Sequence, residues 1–152
     1  MLPQQGEEAA LLRLDMLAGA ATVAHAVAWA DGVIAADPRP DSAVIDVALA
    51  GNRSPADMIS LLGRVAGTAD AEGVMRRHLR ALLRALDADP ARAGEIAIRL
   101  YRYATAGELP EEAFGVEPYG LEDSFFLAEE GVYGTVAAAR EALREYLLRH
   151  AR

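Results

Sequence analysis

Helix boundaries are written into this chain at short intervals, and that punctuation restricts what it can fold into. Glu7 to Leu17 places Leu11, Leu12, Leu14 and Leu17 on helical spacing, with acids in the first turn where the helix dipole favours them. Gly19 supplies a stop. Thr22 is placed as an N-cap for a helix to about Ala36, whose apolar face uses Val23, Ala26, Val27, Ala30, Val33 and Ile34, with Trp29 alongside. Asp37-Pro38-Arg39-Pro40 is a linker, because proline has no amide donor and restricts the residue before it. Asp41 opens a short helix closed by Gly51-Asn52. Ser54-Pro55-Ala56-Asp57 then combines a cap, a proline at the first helical position and an acid three residues after the cap. That helix ends near Gly67. Thr68 or Asp70 starts the next, through about Ala88. Asp89-Pro90 repeats the start signal for a helix that Gly107 stops, and a last helix covers roughly Val132 to His150.

The nearest approach to a strand, Ala43 to Val47, is flanked by helix signals and too short to build a sheet alone. The expected fold is therefore all-α: one domain over residues 1–152, a compact orthogonal bundle of about seven short helices. Residues 108–131 are the exception. They mix Pro110, Phe114, Gly115, Pro118, Tyr119, Phe125 and Phe126 with most of the acids. They read as a long acidic, aromatic-bearing loop before the last helix, with a short helix around Leu121 to Glu129. Loops of that length in a compact domain are often functional. The Ala-Gly stops at Gly19 and Gly107 echo one another weakly, as chance recurrence in an alanine-rich chain or a duplication would produce.

The charge is concentrated in the same place. Between Arg102 and Arg140 there is no basic residue, while Glu108, Glu111, Glu112, Glu117, Glu122, Asp123, Glu129 and Glu130 lie there, and these eight acids equal the net charge of -8. A dense field of one sign draws partners of the other. An acidic chain is a poor match for nucleic acid, which needs basic surface. The absence of cysteine excludes disulfides, thiolate nucleophiles and cysteine-held metals, and fits a cytoplasmic protein. All bases are arginine and Asn52 is the lone asparagine, as in a GC-rich bacterial genome. The start of the chain does not read as a signal peptide. The longest uncharged run, Met16 to Ala30, is shorter than the roughly 20 residues that cross a bilayer.

Three constellations have candidate chemistry. Glu117, Tyr119, Glu122, Asp123, Phe125, Phe126, Glu129 and Glu130 combine aromatic anchors with an acidic rim, the composition of a protein-binding surface. The alternative is that the aromatics tuck under the loop and the acids are only solvated. His25 and Trp29, four apart, share a helix face, so Trp29 can line a ligand pocket with His25 as a proton carrier, or serve as a core anchor with His25 at its edge. Arg76, Arg80 and Arg84 form a column, broadened by Arg77 and His78, which is either an anion patch or a face that is solvated or paired internally. No histidine pair has metal-ligand spacing, and no nucleophile elbow or phosphate loop is present, so no catalytic residue, metal or cofactor is assigned.

The pattern Leu17-Ala-Gly19, Thr22, Trp29-Ala-Asp31, Pro40-Asp41, Val44 to Leu49, Ser54 to Ile59 and Leu61-Leu62 resembles small uncharacterised bacterial all-helical proteins, some of them immunity-protein-like. The likeness covers roughly residues 10–66, and more loosely the acidic segment, and rests on caps and core positions. It implies a non-enzymatic binder whose partner stays open, with an immunity-like, toxin-neutralising role as one version. The expectation is thus an acidic module that binds a protein with a basic surface, with no nucleic acid and no membrane. The rival expectations are a small-ligand protein or enzyme using the Trp29/His25 pocket, and a homodimer through an alanine-rich helix face.

Overall fold

A computed structural model describes residues 3–67 and 69–152, with the side chain of Pro3 excepted. Among the described residues the chain is all-helical, with nine α-helices and no strand. They are α1 (Pro3–Leu17), α2 (Val23–Ala36), α3 (Ser42–Ala48), α4 (Pro55–Ala66), α5 (Ala71–Ala88), α6 (Ala93–Thr105), α7 (Glu111–Phe114), α8 (Pro118–Glu129) and α9 (Val136–His150), with a 3-10 turn at Pro90–Arg92 before α6. The chain divides into two compact units, Met1–Val74 and Met75–Arg152, with the division falling inside α5.

The caps sit where the sequence places them. Thr22, Asp41 and Ser54 accept backbone amides of His25, Ala43 and Asp57, satisfying donors that a helix start leaves open. Asp70 does the same for Gly73 at the start of α5. Thr68, the other candidate, lies outside the described residues. Asp89 accepts from Ala91, and the resulting turn is 3-10 before α6 begins. The last helix starts later than the expected Val132. Gly134 takes φ +71°, a left-handed conformation that interrupts a helix, and Thr135 caps α9 through the Ala138 amide.

The count exceeds seven because residues 108–131 are mostly helix, which corrects the long-loop expectation. Leu109 is buried, Pro110 opens the one-turn α7, and Pro118 sits at the first position of α8. Glycine at φ +73°, Gly115, makes the bend between them.

Three helix ends share one geometry. The amides of Gly19, Gly107 and Gly131 donate to Met16, Ala104 and Ala128, and the following amides of Ala20, Glu108 and Val132 donate to Asp15, Tyr103 and Leu127. This paired arrangement is the Schellman motif, which needs a left-handed residue at the glycine.

In the first unit α1 packs along α4, and α2 along α3. Ala9, Met16, Ala26, Ala30, Val44, Val47, Met58, Leu62 and Val65 form its core, with Trp29 packed against it. In the second unit α8 packs on α6 and α9. Ile96, Leu100, Tyr103, Phe114, Leu143, Tyr146 and Leu147 are buried there. His78 is also buried, its Nε2 2.9 Å from the Tyr103 hydroxyl.

Two glycines separate conformation from space. A methyl group would meet nothing within 4 Å at either Gly107 or Gly120. Gly107 has φ +78°, whereas Gly120 is helical. Gly107→Ala is expected to destabilise by about 1–2 kcal/mol and Gly120→Ala to stabilise by about 0.5–1 kcal/mol. Denaturant midpoints moving in opposite directions would bear this out, and a shared direction would contradict it.

Candidate functional site

The acidic segment is built around one fixed turn. The Tyr146 hydroxyl of α9 donates to the Phe114 carbonyl at 2.9 Å, and the Arg76 guanidinium of α5 lies 4.9 Å over the Phe114 ring. Burial raises the Tyr146 phenol above its ordinary range, with nearby Glu117 acting in the same direction. Glu117 pairs with Arg149 at 3.3 Å. The Tyr119 hydroxyl donates to the Ala104 carbonyl at 3.2 Å, and its ring meets Tyr101 edge-on.

These ties orient α8. Pro118, Leu121 and Phe125 form its buried stripe, at the i, i+3, i+7 spacing of one helix face. Phe125, expected at the partner surface, is 4% exposed and belongs to the interior instead, because it shares that stripe. Phe126 is 59% exposed. Glu122, Asp123, Glu129 and Glu130 stand at i−4, i−3, i+3 and i+4 from it, the positions adjacent to it on a helix surface. None of the four forms an ion pair or side-chain hydrogen bond within the described residues. Tyr119, one further step along the same face, is 44% exposed, and Tyr133 beyond the helix end is 78% exposed. Between α8 and α9 lies an open groove of about 390 Å³, lined by Gly120, Ser124, Leu127, Tyr133, Ala138 and Ala142 among others.

The arginine column is absorbed in large part by the end of α9. Arg76 donates to the His150 carbonyl at 3.0 Å, and Arg80 donates twice to the Ala151 carbonyl, at 2.9 and 3.2 Å. These are carbonyls that a helix C-terminus leaves open, and cations there also complement the dipole. His78 does not broaden the column. Two residues from Arg76 or Arg80 it turns to the opposite side of α5, and it pairs with Tyr103.

His150 packs 4.5 Å from Tyr146 and 6.2 Å from Phe114, measured between ring centres. Its pKa is lowered, first by burial and also by Arg149 and Arg76, against an opposing pull from Glu117.

In the first unit Trp29 and His25 part company. Trp29 is half-buried and its Nε1 donates to Glu8 Oε2 at 2.9 Å. His25 is exposed and serves the helix start: its Nδ1 accepts the Thr22 amide at 2.9 Å, while the Thr22 hydroxyl accepts the His25 amide at 3.3 Å. With Nδ1 an acceptor, the neutral ring carries its proton on Nε2. A cleft of about 880 Å³ opens beside Trp29, lined by Gln4, Gln5, Glu8, Gly32, Pro38 and Arg39 among others, and His25 is not part of it. The Trp29 to Glu8 bond joins residues 21 apart on different helices, so no local pattern in the sequence announces it.

Among the described residues no group of three or more histidines or carboxylates is placed to hold a metal, and no helix is long and apolar enough to cross a membrane. Comparison with protein-family models, with curated proteins and with solved structures finds no match to this chain.

The lowered His150 pKa has a consequence for stability. An unfolded histidine takes up its proton near pH 6.5, above the folded value. The contribution is therefore present above about pH 6.5 and is lost as pH falls through the folded value. Between about pH 7 and pH 5 the wild type is expected to lose more stability than His150→Phe, and an NMR titration of the ring should turn over below about 6.5. Equal slopes in the two proteins would contradict this.

Proposed function

We propose that this chain is a non-enzymatic, acidic, protein-binding module of a bacterium, and that it engages a protein with a basic surface through the outer face of α8. Phe126 carries the reading: an exposed aromatic ring surrounded by four carboxylates that form no ion pair among the described residues. Large aromatics dominate binding energy when a partner desolvates them, and rim charges set the rate of encounter. Tyr119 and Tyr133 extend the apolar surface, and the α8–α9 groove has room for a partner's apolar side chain.

Helix energetics favour the same reading. Glu129 and Glu130 lie at the negative end of the α8 dipole, and no basic residue occupies its last turn. Acids there are unfavourable by about 0.3–1 kcal/mol each, and a basic partner would relieve that cost. Small size, acidity and the likeness noted in the sequence extend the proposal to an immunity-like, toxin-neutralising role in the cytoplasm.

The test begins with a basic protein captured from host lysate at low salt and released at high salt, followed by kinetics on the purified pair. Replacing Glu122, Asp123, Glu129 and Glu130 together with arginine is expected to slow association by about 10–100-fold at low ionic strength. Phe126→Ala should act mainly on dissociation, since it removes contact area without altering charge. An association rate unchanged by the four reversals would overturn the proposal.

A further inference from the structure

We propose that the cleft beside Trp29 binds an organic cation with an apolar body, an alkyl- or arylammonium, independently of the α8 face. The cleft, about 880 Å³, falls within the roughly 300–1,000 Å³ of small-molecule sites. It combines one large aromatic surface with a carboxylate that is already positioned. Trp29 Nε1 donates to one oxygen of Glu8 at 2.9 Å, and Gln4 Nε2 donates to the other at 3.1 Å. A carboxylate offers about four acceptor positions, so about half of its capacity is left. Both donors are neutral, and among the described residues no basic side chain pairs with Glu8. Glu8 is therefore a half-buried carboxylate with acceptor positions left open, fixed beside an indole, a ring whose face attracts cations.

The remaining lining agrees with that ligand class. Asp37 adds a second carboxylate at the rim, with its Oδ1 accepting the Arg39 amide at 2.9 Å. Arg39 is the one base in the lining, so two acids outweigh it. Val33, Ala36 and Pro38 provide apolar wall for the body of the ligand. Gly32 contributes no side chain, and a Cβ placed there would meet nothing within 4 Å, so the open space is real at that point. An anion of the same shape would face Glu8 and Asp37 and be repelled.

Trp29 is the sole tryptophan, so its fluorescence reports on this cleft alone. Three probes of similar shape separate charge from bulk: 2-phenylethylammonium, 2-phenylethanol and 3-phenylpropanoate. The ammonium is expected to give a saturable change, the alcohol a weaker one and the carboxylate none. Glu8→Gln keeps an acceptor for the Trp29 N–H and removes the charge, so affinity for the ammonium should fall roughly tenfold. Gly32→Phe, at an exposed position, should fill the cleft and abolish the response, with circular dichroism confirming that both variants remain helical. No saturable response of the wild type to the ammonium, equal affinity for ammonium and carboxylate, or an unchanged affinity in folded Glu8→Gln would each overturn the proposal.

Discussion

Phe114 is held by two helices at once. The Tyr146 hydroxyl takes its carbonyl, and the Arg76 guanidinium covers its ring while also capping the end of α9 through the His150 carbonyl. The ring itself is 1% exposed. Everything that follows in the segment is set by this contact. The bend at Gly115 comes directly after it, α8 starts at Pro118, and the buried stripe of Pro118, Leu121 and Phe125 settles against α6 and α9. Fixing that stripe inward leaves Phe126 and its four carboxylates facing outward. A segment carrying this much like charge gains little from its own surface. Its order comes from a few apolar side chains and a hydrogen bond at its start.

Much of the fold was legible because caps are local. Thr22, Asp41 and Ser54 needed only the two or three residues beside them, and the glycines at 19 and 107 needed only a left-handed turn. The echo noticed between those two stops is a shared Schellman geometry, and Gly131 repeats it a third time. A common cap is enough to explain the likeness of the segments. The acidic segment reads as loop because its prolines and glycines disfavour helix interiors and fall at short intervals. Its helices depend on burial of Phe114, Leu121 and Phe125, which the local sequence does not reveal.

The candidate sites divided along the same line. That Phe126 stands among four acids follows from helical spacing alone. That Phe125 points inward depends on which face meets α6 and α9. For Arg76 and Arg80 the spacing leaves an anion patch, a solvated face and an internally paired face all open, because their partners, the carbonyls of His150 and Ala151, lie some 70 residues later in the chain. The partner of Trp29 is Glu8 on α1 and not His25, which is occupied in capping its own helix. In the first unit His25, and in the second Arg76 and Arg80, complete helix ends, and the remaining charge lies beside half-buried Trp29 in the one and exposed Phe126 in the other.

Residues 111–129 form an ordered platform in the free protein. Amide hydrogen exchange on the free protein tests it directly. Slow exchange is expected across α8, from Leu121 to Glu129, comparable to α6 and lost on Phe114→Ala while α6 stays protected. Exchange of α8 amides at unfolded-chain rates in the wild type would contradict the account, since the outward face of Phe126 and its carboxylates would then not exist as a surface.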